Sequence, residues 1–147
     1  MLIHELGESL NLSGLEAGDD GTSVISTADG LDVLLAFSED ADELLLCCEV
    51  GTVTGEPEEV HASLLKANLD WQGCQGAALS LAGKRGQLVV LQMAIPCVEV
   101  DKGRMRDRAT AFIEWATHWR GEIATIEERQ FRVEPETPLV MDPSRFV

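Results

Sequence analysis

The chain has 147 residues, 45% of them hydrophobic, a length and composition that suit one domain with its own core. Its formal net charge of −15 comes from 26 Asp and Glu against 11 Lys and Arg. A surface of that sign repels phosphate backbones and anionic lipids, so nucleic acid and membrane surfaces are not expected partners.

The negative charge is unevenly distributed along the chain. Residues 1–70 carry sixteen acidic side chains and a single basic one, Lys66, whereas residues 71–147 carry ten of each. The whole excess therefore belongs to the first half. Acidic surfaces most commonly serve solubility, but solubility alone does not explain this segregation.

The cysteines and the N-terminus indicate a reducing compartment. The N-terminus shows no basic leader followed by an apolar stretch, and the apolar runs are too short to span a membrane, so we expect a cytosolic protein. The cysteines form no C-x-x-C pair and no ligand-like spacing with a histidine; they are Cys47, Cys48, Cys74 and Cys97. We predict buried free thiols, and neither a metal nor another cofactor.

The first half of the chain reads as one helix followed by three strands. Four apolar residues recur at helical spacing and predict a short amphipathic helix over residues 2–11; they are Leu2, Ile3, Leu6 and Leu10. Such a stripe most often packs in a core, but part of it could also face a partner. Strand-like residues 22–28 and 31–38 flank Asp29-Gly30, the pair typical of a tight hairpin, and a third strand is predicted over residues 43–50.

The second half predicts a helix, a hairpin and a final helix. Residues 56–69 begin with Pro and carboxylates, as helices do, and residues 77–82 and 87–95 alternate as strands. The final helix is predicted from an apolar stripe, with Gly121 either stopping or weakening it; the stripe is Met105, Ala109, Phe112, Ala116 and Trp119.

The predicted order, α-β-β-β-α-β-β-α, indicates an α+β fold with helices packed against a twisted antiparallel sheet. From Glu122 the helical pattern decays, and Pro135, Pro138 and Pro143 follow in a polar stretch. We therefore expect a domain over residues 1–121 and a C-terminal extension over residues 122–147, either mobile or docked as an extended segment.

Catalytic patterns are weak. Cys74 lies between glycines and could act as a nucleophile with His118 or His61 as base, but one Cys and a distant His occur together by chance in most chains. The acidic pairs Asp19-Asp20 and Glu58-Glu59 lack the alternating ligands of a calcium loop. We predict no active site, so the protein is not expected to be an enzyme.

One stretch resembles a known family. Residues 64–69 and 73–81, with sequences LLKANL and GCQGAALSL, closely resemble the helix-to-strand signature of class I type III secretion chaperones, the Tir-chaperone (CesT-like) family. The resemblance extends over residues 1–121 in the order of elements. It implies a cytosolic homodimer that binds an N-terminal stretch of a secreted effector without ATP and delivers it to the export apparatus, in the service of virulence. The export ATPase is a further candidate partner.

The resemblance also implies two surfaces. We expect the effector to bind the first helix and a sheet face, at Leu2, Ile3, Leu6, Leu10, Leu31, Val33, Leu35 and Phe37. We expect the homodimer interface around residues 64–81, at Leu65, Leu69, Trp71, Leu79 and Leu81. The alternatives are a regulator or scaffold of the same fold outside secretion and a thiol-dependent enzyme using Cys74.

The charge asymmetry adds an electrostatic expectation. The acidic half is predicted to face a basic or amphipathic effector segment, which would speed their encounter. A cluster of cations at the start of the last helix, where the helix dipole disfavours them, is expected to pair with carboxylates nearby in the fold or across the dimer; its members are Lys102, Arg104, Arg106 and Arg108.

Overall fold

The computed structural model describes residues 18–69, 76–98 and 101–133. The predicted first helix, Trp71, Cys74 and the chain from residue 134 onward lie outside these ranges. The described residues form an antiparallel sheet and two helices, so the predicted α+β class is confirmed.

The sheet has five strands in the order β1-β2-β3-β5-β4, and every neighbouring pair is antiparallel. The strands are β1 (Thr22–Ser26), β2 (Asp32–Ser38), β3 (Glu43–Thr52), β4 (Ala78–Ala82) and β5 (Leu88–Pro96). The predicted β1–β2 hairpin is confirmed: Thr27 N donates to Leu31 O at 2.8 Å, and Gly30 has a φ of 89°, which glycine adopts without strain.

Two helices lie against this sheet, α1 (Pro57–Leu69) and α2 (Lys102–Val133). Asp101 caps α2, since its Oδ1 accepts a hydrogen bond from Arg104 N at 2.8 Å. The apolar stripe of α2 then packs on one face of the sheet, mainly against β3. This layer of helix and sheet encloses the core.

The end of α2 differs from the prediction. The helix does not stop or weaken at Gly121 but runs on to Val133, and Ile123 and Ile126 continue its buried stripe. A solvent-exposed glycine inside a helix costs about 1 kcal/mol, and the burial of two isoleucines outweighs that. The expected decay of the helix at Glu122 was therefore wrong for residues 122–133.

The close fit of Ile123 explains a glycine in the sheet. A Cβ at Gly51 would lie 2.8 Å from Cγ2 of Ile123, so a side chain at this position would displace α2. The same region contains the irregular pairing between Glu49 and Gly51, where β3 shifts its register against β5. Residues 122–133 thus contribute to the core that positions the sheet.

Candidate partner-binding surfaces

The two faces of the sheet have different surroundings. Side chains on the face that packs against α2 are almost fully buried, including Leu31 (2% exposed), Val33 (1%) and Leu35 (0%), while Phe37 is half-buried. Leu31, Val33 and Leu35 were predicted to bind an effector, and the structure corrects that assignment because they pack in the core. Leu2, Ile3, Leu6 and Leu10 lie outside the described residues.

The opposite face carries a second set of apolar side chains. Strand register places Val24, Leu34 and Cys47 in one row across β1, β2 and β3, and Gln92 and Ala78 continue that row. The next row contains Ala36, Leu45 and Ala94. Val24 is 53% exposed, and Leu34 and Leu45 are each 40% exposed.

The two rows form the floor of an open groove. Its volume is about 460 Å³, and its lining includes Leu34, Ala36, Leu45, Cys47, Ala78 and Ala94. Small side chains lower the middle of the floor, while Leu34 and Leu45 provide contact area. We call this surface the open-face groove.

Carboxylates border the open-face groove at both ends of the strands. Asp32 precedes Val33 and Glu49 follows Cys48, the partner of Val33, so these two exposed carboxylates are neighbours across β2 and β3. At the other end of β3, Glu43 pairs with Ser38 and adjoins the exposed turn residues Glu39 and Asp40. The groove is therefore apolar in the middle and acidic along two sides.

The two edge strands of the sheet differ in how far their backbone is covered. The hairpin pairing directs the backbone groups of Thr22, Val24 and Ser26 away from β2. Asp20 Oδ1 accepts from Thr22 N at 3.1 Å, and Thr22 O accepts from Gly18 N at 2.6 Å. Among the described residues, none bonds to the outward backbone groups of Val24 and Ser26, so this edge of β1 can pair with an extended segment.

The β4 edge is covered by a side chain. Asn68 donates from Nδ2 to Leu79 O at 2.7 Å and accepts from Leu79 N at 2.8 Å. The amide thereby occupies the backbone groups with which an added strand would pair. This contact also ties the end of α1 to β4.

An exposed apolar patch lies on α1 beside β4. Leu65 is 71% exposed and Leu69 is 83% exposed, and Leu81 on β4 is also exposed. These residues were predicted to form a dimer interface, and their exposure leaves them available for one. Leu79 was assigned to the same interface, and this assignment is corrected because Leu79 is buried in the core. Trp71 lies outside the described residues.

A carboxylate clasp joins the end of α2 to the loop before α1. Glu127 Oε2 accepts from Thr54 N and Gly55 N, each at 3.1 Å, and from the Thr54 hydroxyl. Arg129 pairs with Glu59, and Gln130 donates to Glu56 O at 3.1 Å. A cleft of about 730 Å³ lies beside these residues and is bordered by the exposed ring of Phe131.

The described thiols are poor nucleophiles. Burial raises the pKa of Cys48 to about 11. Burial likewise raises the pKa of the Cys47 and Cys97 thiols. Cys74, the residue on which the enzymatic alternative depends, lies outside the described residues, and His118 is an exposed residue in edge-to-face contact with Trp115 and Trp119.

The cations at the start of α2 remain without the expected partners in this part of the chain. Arg104, Arg106 and Arg108 are exposed, and none of them forms an ion pair with another residue within the ranges described. Arg120, further along α2, pairs with Asp29 at 3.1 Å. The described residues therefore provide no carboxylate partner for these three arginines, and pairing across a dimer stays a prediction.

The described residues contain neither a membrane-spanning helix nor a cluster of metal ligands. Neither helix there is long and apolar enough to cross a membrane. In the same ranges, no group of three or more His, Cys, Asp or Glu side chains is arranged to hold a metal ion.

The chain matches a known protein family. A model of the Tir chaperone protein (CesT) family matches residues 1–120. A search of curated protein sequences gave no match.

Three solved structures share the fold. A chain of the HopA1-SchA chaperone-effector complex is 21% identical with a TM-score of 0.67, and the match covers 82% of this chain and 91% of that one. A chain of the ExsC-ExsE complex is 17% identical with a TM-score of 0.68, and the match covers 81% of this chain and 88% of that one. The third structure is the Yersinia pestis type III secretion chaperone SycH in complex with a fragment of YscM2. It is 18% identical with a TM-score of 0.64, and the match covers 80% of this chain and 96% of that one.

Proposed function

Because the chain belongs to the Tir chaperone protein (CesT) family, we propose that it is a chaperone that binds the N-terminal region of a type III secreted effector. It keeps the effector soluble and secretion-competent and delivers it to the export apparatus, with the export ATPase as a further candidate partner. The observation that carries the proposal is the family match over residues 1–120. The open-face groove, an exposed apolar surface of the sheet, gives the chain a place to bind an effector.

The chemistry of the open-face groove supports binding of an unfolded or locally folded segment. Leu34 and Leu45 together with small neighbours offer apolar area without a charged group in the floor, which suits the burial of effector side chains. The free edge of β1 at Val24 and Ser26 adds backbone groups for an extended stretch. A single effector could use both surfaces, with one stretch paired at the edge and another lying in the groove.

The protein acts as a homodimer in this proposal. Leu65, Leu69 and Leu81 form an apolar patch beside a strand edge that Asn68 blocks, so a partner there packs side chain against side chain and does not add a strand. An obligate dimer commonly buries on the order of 2,000 Å² or more in total. The patch and the open-face groove involve different residues, so dimerisation leaves the groove accessible.

The proposal places the protein in the bacterial cytoplasm and gives it no catalytic role. Its family is one of chaperones, and the described thiols have raised pKa values, which disfavours the thiolate that covalent chemistry needs. The solved structures of the same fold include a chaperone-effector complex, and this supports the same kind of partner here.

Co-expression with candidate effectors from neighbouring genes tests the proposal. We expect one of them to stay soluble and co-purify only when this protein is present. The double variant Leu34→Asp/Leu45→Asp should abolish co-purification, because charge in an apolar groove is costly to desolvate. Val98→Asp, a change at an exposed apolar residue outside the groove, is the matched control and should retain binding.

Two results would contradict the proposal. Normal effector binding by the double variant would exclude the open-face groove as the site. Stable binding of a non-secreted protein, with no effect on any effector, would favour a regulator or scaffold of the same fold.

A further inference from the structure

The acidic borders of the open-face groove narrow the chemistry of what it binds. Asp32 and Glu49 are like charges on adjacent strands, an arrangement that destabilises a sheet. Ser26 donates to Asp32 at 2.6 Å, but no cation of the described residues pairs with either carboxylate. Arg120 of α2 is already engaged by Asp29. A bound cationic group would relieve the repulsion.

The floor of the groove favours a helix over a strand. Most of its lining is apolar, including Leu34, Ala36 and Leu45, and the amide of Gln92, a polar side chain in the floor, donates to Ser80 Oγ at 3.1 Å. A strand laid across it would leave its backbone groups without partners on one side, whereas a helix satisfies its own. The row of side chains that crosses all five strands, from Val24 to Ala78, is about 19 Å long. A helix of about 13 residues has the same length.

The spacing of the carboxylates fits the flanks of such a helix. Glu43 and Glu49 are separated along β3 by about 20 Å, with the two apolar rows between them. A helix about 10–12 Å wide can lie on those rows and extend long basic side chains to both borders. Lys and Arg suit this geometry because their aliphatic stems cover apolar surface while their charges reach outward.

We infer that the open-face groove selects an amphipathic helical segment whose apolar stripe is flanked on both sides by Lys or Arg. The inference rests on the proposed function and specifies the effector segment that this site accepts. Asp32, Glu49 and Glu43 are its specificity-determining residues, and Leu34 and Leu45 provide the apolar contact.

Other occupants match the groove less well. The same face of a second copy would set its carboxylates against these carboxylates. The α2 helix of a second copy brings exposed arginines, but its apolar stripe is already buried, as Met105 and Phe112 show. Residues 1–17 of this chain contain an apolar stripe, yet their charged residues are Glu5, Glu8 and Glu16. Charge complementarity therefore favours a basic partner.

Two synthetic peptides of about 14 residues test the inference, one with Lys and one with Glu flanking an identical Leu and Ala stripe. Fluorescence anisotropy in 0.05 M salt should give at least about tenfold tighter binding of the Lys peptide, and the preference should shrink in 0.5 M salt, where screening is stronger. Equal affinity of the two peptides, or no binding by either, overturns the inference.

Variants locate the effect on the protein. Asp32→Asn/Glu49→Gln should weaken binding of the Lys peptide about three- to tenfold in low salt and leave the Glu peptide unchanged or improved. The control Glu114→Gln/Glu122→Gln removes the same charge from exposed positions on α2 and should change affinity less than about twofold. Equal losses in both double variants would show a diffuse effect of net charge and overturn the inference.

Two further outcomes separate this inference from the proposed function. Loss of effector co-purification in Leu34→Asp/Leu45→Asp, without any preference for the Lys peptide, leaves the function standing and overturns only the charge selectivity. If a peptide of residues 1–17 displaced the Lys peptide and bound more tightly, the occupant would be the chain's own N-terminal segment, and the inference would fail.

Discussion

Glu127 is a half-buried residue with one identifiable structural task. Its carboxylate accepts hydrogen bonds from two backbone N–H groups and one hydroxyl of the loop between β3 and α1. Glu127→Ala should lower the free energy of unfolding by about 1–2 kcal/mol, because the loop donors lose a charged acceptor. Glu122→Ala, an exposed position on the same helix, should change it by less than about 0.5 kcal/mol. Urea unfolding of the two variants and the wild type measures the difference, and equal stability of all three would contradict the clasp.

Adjacent cysteines on β3 point to opposite faces of the sheet and should react differently. The pKa of Cys48 is about 11, so about one thiol in a thousand is deprotonated at pH 8. Cys48 should therefore resist iodoacetamide until the protein unfolds. Cys47 lies in the open-face groove, and although burial raises its pKa as well, it should be alkylated first.

The same thiols report on the site when a partner is present. Effector bound in the open-face groove should slow alkylation of Cys47 severalfold, as measured by mass spectrometry of the digested protein. Cys97, which is outside the groove lining, is the internal control. Unchanged Cys47 reactivity in the complex would place the effector elsewhere.

Residue-level prediction failed in β2 for a definable reason. Residues 33–37 read Val-Leu-Leu-Ala-Phe, so apolar side chains point to both faces, and alternation does not tell which face a helix covers. The prediction assigned Val33 and Leu35 to the effector, whereas both are buried in the core and Leu34 on the opposite face is exposed. The correct set could have been named only after the packing of α2 was known.

At the scale of elements, the C-terminal part of α2 is a structural part of the domain. Ile123 is 2% exposed and lies against Gly51. Ile123→Ala should destabilise the protein by about 2–4 kcal/mol through lost burial and a cavity. Ala124→Ser, at the exposed neighbouring position, should cost less than about 1 kcal/mol. Thermal or urea unfolding compares the two, and a stability loss below about 1 kcal/mol in Ile123→Ala would contradict this role.

The hairpins and helix starts were predictable because their signals are local. Asp29-Gly30 supplies the turn residues of the β1–β2 hairpin, and Pro57 with two following carboxylates begins α1. The end of α2 was not predictable in this way. Gly121 and the polar residues after it resemble a helix stop, but contacts distant in sequence, such as Ile123 with Gly51 and Glu127 with Thr54, hold the helix together.

At the scale of the whole molecule, the patch on α1 makes a prediction about assembly. Leu65→Asp/Leu69→Asp should convert a homodimer of wild-type chains to monomers, because two carboxylates would have to be desolvated in an apolar interface. Light scattering at micromolar concentration measures the mass of both proteins. Val98→Asp, which adds a charge at another exposed apolar residue, should leave the dimer intact. A monomeric wild type would reject the proposed interface.

The distribution of charge also belongs to this scale. The sheet face formed by β1, β2 and β3 comes from the acidic half of the chain, and both borders of the open-face groove are acidic. Association with a basic effector segment should slow as salt rises from 0.05 to 0.5 M, since the Debye length falls from roughly 14 to 4 Å. Stopped-flow measurements should show dissociation changing much less. A flat association rate would mean that the acidic half serves solubility alone.

The sequence by itself determined the class of fold, the order of the elements from β1 onward, the family and the half of the chain that carries the excess charge. Each of these depends on local periodicity, turn chemistry, a contiguous motif such as residues 64–81, or simple composition. The tertiary structure alone decided which apolar residues are free. Leu79 and Leu35 are buried while Leu34 and Leu65 are exposed, although all are leucines in apolar segments. Exposure depends on which face α2 covers and on where α1 meets β4, and these contacts join residues far apart in the chain.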